Sequence, residues 1–186
     1  SKFNIPNSAF VVTTAATFRP KKGLDVLLKA ASLLADLAHL HFLVVGSGTD
    51  KAAYTHLIEQ SGMAQRIHCV GHQDQATRLI AASNLYTQCS IKGEGLPRSV
   101  MESLAYGVPV VSSTAGGAKE ILHEGINGYI VPVNDAAALA TTIRNCYNTP
   151  DQLKSMATAC KHTISGELST EINARKHLNF FEALVQ

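Results

Sequence analysis

The chain has almost no surplus of charge. Sixteen Lys and Arg stand against 14 Asp and Glu, a formal net charge of +2 over 186 residues. A surplus that small argues against nucleic acid as the main partner, so any recognition of anions must be local. Its four cysteines, Cys69, Cys89, Cys146 and Cys160, contain no Cys-x-x-Cys pair, and three of them lie in apolar or helical patterns that imply burial. They read as reduced thiols, which suits a cytoplasmic protein. The eight His are scattered, and the one close pair, His39 and His41, enters a strand-like run in which alternate side chains face outward. That arrangement argues against a zinc site. No apolar run approaches the ~20 residues a bilayer requires. The opening SKFNIPNS is polar and turn-like, without the basic start and apolar stretch of a secretory leader, and residues 1–8 read as an interdomain linker.

With 46% hydrophobic and 16% charged residues the composition is that of an ordinary globular domain. A chain of this length buries ~70% of its unfolded surface and needs no disulfide or metal to fold. Short β-branched runs alternate with segments of helical period. Strands are expected at Ala9 to Thr14, His41 to Val45, Ile67 to Val70, Leu85 to Cys89, Val108 to Ser112 and Tyr129 to Val131. Helices are expected at about Lys22 to Leu37, Lys51 to Gln60, 75–82, 97–106 and 118–124. In the first of these, Leu24, Leu27, Leu28, Ala31 and Leu34 make one apolar stripe. After Val131 three helical segments follow, at about 135–147, 150–163 and 169–185, with Thr149-Pro150 marking one start. The order predicts a doubly wound, mainly parallel Rossmann-like sheet of about six strands over residues 9–165, with residues 166–186 forming a terminal helix. Such sheets bind ligands beyond the carboxyl ends of their strands.

The loops after those ends differ in what they say. Gly46-Ser47-Gly48 follows a strand, but the third glycine of a dinucleotide fingerprint would fall at Lys51 and no acidic residue closes the next strand. A tight strand-to-helix turn accounts for it better. The segment SIKGEGLPRSVMESLAYGVPVV is richer. Pro97 suits the first helical position, so the amides of Arg98 and Ser99 fall among the unpaired donors of a first turn, which is a phosphate site. Gly93 and Gly95 allow close approach of backbone to a ligand. Glu102 lies on the helix flank, where it either accepts from a vicinal diol or pairs with Arg98 at i,i+4. Glu94 either contacts ligand or is favoured there by the helix dipole alone.

From about Val11 to Tyr147 the chain resembles the two-domain GT-B glycosyltransferases, specifically glycosyltransferase family 4 and its group 1 relatives. The resemblance rests on Glu94 and Glu102, separated by seven residues within EGLPRSVMESLAYGVPVV, on Gly116-Gly117, on Glu120 and on GINGYIVP ending at Pro132. KKGLDVLLKA, FLVVGSG and RIHCVGH add to it.

The resemblance implies that Glu102 binds the ribose hydroxyls of a nucleotide and that Glu94 contacts the transferring sugar as the catalytic carboxylate. It implies that the amides of Arg98 and Ser99 hold the distal phosphate, that Lys22 neutralises the diphosphate, and that the segment ending at His72 lies beside the base. Gly95 and Leu96 belong to the same donor-binding loop. The family arginine is replaced by Thr17, and Arg19 is the nearby cation able to supply its charge. Lys21 and Arg19 read equally as solvated loop charges. Pro97 has no N–H to give to a sugar hydroxyl.

The implied activity is retaining transfer of a hexose from a nucleotide diphosphate sugar to a hydroxyl acceptor. No metal cofactor is expected, and the sequence contains no Asp-x-Asp. The implied partner is an N-terminal acceptor-binding domain of the same enzyme, through which any peripheral membrane association would run. A GT-B-like nucleotide-sugar epimerase and a non-catalytic nucleotide-binding module are the alternative readings.

Overall fold

The computed structural model describes residues 3–49 and 52–184. Lys51 and Val185, each the expected limit of a helix, lie outside the described residues. Six strands form one sheet: β1 (Phe10–Ala15), β2 (Leu40–Val45), β3 (Ile67–Cys69), β4 (Leu85–Gln88), β5 (Val110–Ser113) and β6 (Gly128–Val131). Every pairing is parallel and the order is β3-β2-β1-β4-β5-β6. Among the described residues seven α-helices connect or follow them: α1 (Leu24–Ser32), α2 (Ala52–Gln60), α3 (Ala76–Ala81), α4 (Arg98–Ala105), α5 (Ala136–Asn148), α6 (Pro150–His162) and α7 (Thr170–Leu184).

Alternation along the strands divides the core. On one face Val12, Phe42, Val44, Leu85 and Val111 pack with Leu27 and Leu28 of α1 and Ile143 of α5. On the other Tyr86 and Val110 pack with Ile80 of α3, Val100 and Leu104 of α4 and Cys160 of α6. Residues two apart therefore share a cluster while neighbours do not, as a sheet covered on both faces requires. Winding reverses between β1 and β4, and a crevice opens at the carboxyl end of that junction.

Several expected elements are corrected. The helix read from Lys22 to Leu37 is shorter. Pro20–Lys22 form a 3-10 turn, Gly23 takes a left-handed conformation at φ 65°, and α1 starts at Leu24 and ends at Ser32. A Cβ on Gly23 would stand 2.0 Å from the Cys89 carbonyl oxygen, so the turn is pressed against the end of β4. Leu34 is fully buried but lies beyond the helix. The helix expected over 118–124 is only a 3-10 turn, Gly117–Glu120. Buried Asn127 ends it, because its side chain donates to the Ile121 carbonyl at 2.9 Å and accepts from the His123 amide at 2.7 Å. Pro97 is the N-cap of α4, with extended backbone at ψ 126°, rather than its first helical residue.

Cys89, Cys146 and Cys160 are buried and Cys69 is exposed. Burial pushes the thiols of the three buried cysteines up to about 12, which leaves them protonated and inert.

His41 does not pair with its sequence neighbour His39. Its Nδ1 meets Nε2 of His68 on β3 at 3.0 Å, with the rings stacked 5.3 Å apart. Desolvation lowers both from the ordinary 6.5, and each added proton at His41 also opposes His68, Arg66 and His39. A base whose folded value is depressed supports stability above the unfolded value and withdraws it as pH falls. The thermal midpoint is therefore expected to drop as pH is lowered from 6.5 toward the depressed folded values. His68→Gln is expected to flatten that drop, checked by thermal denaturation across the same interval. Parallel pH curves for the two proteins would remove the pair from the acid response.

Candidate functional site

The crevice holds about 570 Å³ and is lined from five places in the chain. Ala15, Ala16 and Thr17 end β1, and Val45, Gly46 and Ser47 end β2. His72, Gln73 and Ala76 follow β3, and Gln88, Glu94, Pro97, Arg98, Ser99 and Glu102 follow from β4 into α4. Lys22 enters from the 3-10 turn before α1. Gly46 makes the first two walls possible, since a Cβ there would lie 1.8 Å from the Ala16 carbonyl oxygen.

Among the expected site residues, Lys22, His72, Glu94, Arg98, Ser99 and Glu102 meet in this crevice. Arg19, Gly95 and Leu96 are not in its lining. Leu96 packs on the second core cluster, and the Gly95 carbonyl accepts from the Gly117 amide at 3.0 Å. Thr17 is in the wall where the charge of Arg19 was expected.

At the start of α4 the amides of Arg98 and Ser99 have no hydrogen-bond partner among the described residues, whereas those of Val100 and Met101 return to the Pro97 carbonyl. Two donors and the positive helix end thus face the crevice, which is the arrangement that holds an anion.

Both carboxylates are already engaged. Glu94 Oε1 accepts from Lys22 Nζ at 2.6 Å and from Ser90 Oγ at 3.1 Å, and its side chain is only 11% exposed. Glu102 Oε1 accepts from Arg98 Nε at 2.8 Å, so the i,i+4 pair forms, with the Arg98 side chain 88% exposed and that of Glu102 25%. A pair so exposed on one side contributes ~0.5 kcal/mol or less. It yields readily to a ligand, whereas the Lys22 and Glu94 pair is enclosed.

Behind Glu94 lies a buried polar line that sequence reasoning missed. Tyr86, Gln88 and Ser90 share one face of the chain as it leaves the sheet, and all three are buried. Burial pushes the Tyr86 phenol up to about 12, so it stays protonated. The signal was present as polar residues at alternate positions in a run otherwise expected to be apolar. The two glycines at 116 and 117 close the site from the far side. A Cβ on Gly116 would lie 2.5 Å from Glu94 Cβ, so the loop bearing Glu94 rests directly on that backbone.

Among the described residues no three His, Cys, Asp or Glu are grouped to hold a metal ion, and no helix is long and apolar enough to cross a membrane.

Comparison with known proteins places this geometry. The family described as Glycosyl transferases group 1 matches residues 1–163. The lipopolysaccharide core biosynthesis glycosyltransferase LpsE of Rhizobium meliloti is 28% identical over 171 residues, covering 92% of this chain and 49% of that protein. The phosphatidyl-myo-inositol mannosyltransferase of Mycolicibacterium smegmatis is 32% identical over 128 residues, covering 67% of this chain and 32% of that protein. Among solved structures, Anabaena HepE in complex with UDP superposes with a TM-score of 0.83 at 25% identity, over 95% of this chain and 49% of that one. A glycosyltransferase from Rickettsia africae superposes at 0.84 with 26% identity, over 100% of this chain and 50% of that one. The chain spans about half the length, or less, of these relatives. The sheet order, the crevice at its reversal and the family match over residues 1–163 agree: this chain belongs to the group 1 glycosyl transferases.

Proposed function

We propose that the chain is the donor-binding, C-terminal half of a retaining GT-B glycosyltransferase of family 4, acting in the cytoplasm on polysaccharide assembly. It would hold a nucleotide diphosphate sugar whose hexose passes to a hydroxyl acceptor carried by an N-terminal domain. One observation carries the reading: two free helix-start amides, a lysine and two carboxylates converge on one crevice of about 570 Å³. Amides and Lys22 face the diphosphate, Glu102 accepts from the ribose diol, and Glu94 lies toward the sugar. As the glycosidic bond breaks, negative charge grows on the departing diphosphate, where the fixed donors of α4 and the Lys22 ammonium are worth most. His72 and Gln73 form the wall left for the base. The chemistry asks for no metal, because Lys22 and the helix start supply the positive charge. The relatives named above are transferases, and UDP occupies the Anabaena structure, which favours transfer over epimerisation.

The test is calorimetry with UDP, GDP and ADP, their nucleosides and their 2′,3′-dideoxy analogues. At least one diphosphate is expected to bind more tightly than its nucleoside, with the difference shrinking as salt rises. Glu102→Gln is expected to weaken the ribonucleotide about tenfold or more, the equivalent of ~1.5–3 kcal/mol for a charged hydrogen bond, and to leave the dideoxy analogue unchanged. Equal losses for both would move Glu102 from ligand contact to general electrostatics. Nucleoside and diphosphate binding alike, at every salt, would remove phosphate from the crevice.

A further inference from the structure

The polar line behind Glu94 has a direction, and its charge sets it. An ionised carboxylate only accepts, so the single proton of the Ser90 hydroxyl points to Glu94 Oε1 at 3.1 Å. The Ser90 oxygen must then accept, and Gln88 Nε2 donates to it at 2.8 Å. That fixes the Gln88 amide, whose Oε1 faces the Tyr86 hydroxyl at 3.2 Å and the Ser99 hydroxyl at 3.4 Å. The Tyr86 hydroxyl lies 3.3 Å from both the amide and the carbonyl of Ala15 at the end of β1. The Ser90 carbonyl in turn accepts from the Ser113 hydroxyl at the end of β5, which pins the loop from the other side.

Lys22 and Ser90 share the same carboxylate oxygen. On the reading above, Lys22 turns to the diphosphate when donor binds, and Ser90 is then the remaining protein partner on that oxygen. A largely enclosed carboxylate left without a hydrogen-bond partner would swing toward water, which would spoil its place beside the sugar.

We propose that Ser90, held by Gln88, is a positioning residue that keeps Glu94 in place for the sugar after Lys22 has been given to the diphosphate. This inference rests on the donor-binding reading. Ser90 touches no ligand itself, so its loss acts on the sugar-dependent part of binding and leaves the diphosphate-dependent part alone. The line also ties that carboxylate to the ends of β1, β4 and β5, the three strands around the sheet reversal.

The experiment measures, by calorimetry on this chain, the affinities of UDP, GDP and ADP and of their glucose and mannose conjugates, for wild type, Ser90→Ala, Ser90→Thr and Gln88→Leu. In Ser90→Ala the conjugate is expected to lose about tenfold or more relative to wild type, the loss of one hydrogen bond to a charged group. The bare diphosphate should change by less than about threefold, within the scatter of a surface change. Ser90→Thr, which keeps the hydroxyl, should recover most of the loss, and Gln88→Leu should lose in the same direction. Should Ser90→Ala fail to fold, Ser90→Cys, near in size and a much weaker hydrogen-bond donor, carries the same comparison. Equal losses for diphosphate and conjugate would mark a merely structural role and overturn the proposal, as would unchanged binding of both. A wild-type chain that binds diphosphates but gains nothing from the sugar would overturn the placing of sugar at Glu94. One that binds no diphosphate would overturn the donor reading itself.

Discussion

Gly46→Ala is expected to lower the thermal midpoint by roughly 8–16 °C and to abolish nucleotide binding, a large result for one methyl group. Gly46 sits at φ 129°, outside the conformations that L side chains adopt readily, and an added Cβ would lie 1.8 Å from the Ala16 carbonyl oxygen and 2.7 Å from its carbon. Those atoms are backbone, and they cannot swing aside as a side-chain tip can. The chain on both sides is committed: the Ala16 amide donates to the Val45 carbonyl at 2.9 Å and the Gly46 amide to the Gly71 carbonyl at 2.7 Å. Relief requires the ends of β1 and β2 to separate, which opens the fully buried side of the sheet and widens the crevice they line. Strain and lost pairing together come to roughly 4 kcal/mol or more. Gly71→Ala supplies the control, because Gly71 also has a positive φ, at 67°, but no atom lies within 4 Å of its Cβ position. Only conformational strain of ~1–2 kcal/mol is expected there. Thermal or urea denaturation of both variants separates the two effects, and equal midpoints would refute the steric argument.

Joined to the acceptor-binding domain proposed above, the chain is expected to transfer sugar at least about a thousandfold faster than it does alone. Transfer needs two substrates held at attacking distance, and fixed geometry supplies factors of ~10⁵ M and above in effective concentration. On the proposed reading a donor takes up the carboxylates and cations of the crevice, and its rim is open: the Arg98 side chain is 88% exposed and that of His72 77%. Water reaches an anomeric carbon placed there, so hydrolysis competes where a closed cleft would exclude it. α7 points the same way. None of its residues is buried, and Leu178, Phe180, Phe181 and Leu184 are each more than half exposed, an apolar face that nothing among the described residues covers. The check is a side-by-side assay of this chain and of the joined protein, with every nucleotide sugar that binds and a panel of sugar and lipid acceptors. Comparable turnover by both would show that one half-cleft suffices.

Much of the architecture was legible because parallel strands buried on both faces announce themselves as apolar runs. His41 to Val45 and Val108 to Ser112 were placed within one or two residues of β2 and β5. The start of α4 was legible for a local reason, since a proline before polar and then periodic apolar residues can begin little else. What escaped was set by contacts between distant segments. His41 finds its partner 27 residues on, in the neighbouring strand, not two residues back. The helix expected over 118–124 has helix-forming residues, but Asn127 takes its carbonyl and amide for another purpose. The partner of Glu94 also escaped, since Lys22 stands 72 residues away, whereas the Arg98 partner of Glu102 one turn back was read from the i,i+4 spacing. Gln88 and Ser90 carry no charge and stand at and just past the end of a strand-like run, where polarity is ordinarily read as the solvent side. Only the sheet's second layer shows that this side is interior.

The oxygen of Glu94 that Lys22 and Ser90 share gives the crevice its own counterion. With Lys22 satisfied at 2.6 Å inside the protein, a passing anion meets a lysine already spent, and must undo that bond before it gains one. Inorganic phosphate would strip Glu94 of its cation and return nothing to it. On the donor-binding reading proposed above, a ligand carrying hydroxyls beside its diphosphate returns a donor to the carboxylate in the same event. The two ends of such a molecule then bind more tightly together than the sum of the pieces, so discrimination against small anions arises inside one ligand, through a single proton-bearing nitrogen that has two possible homes.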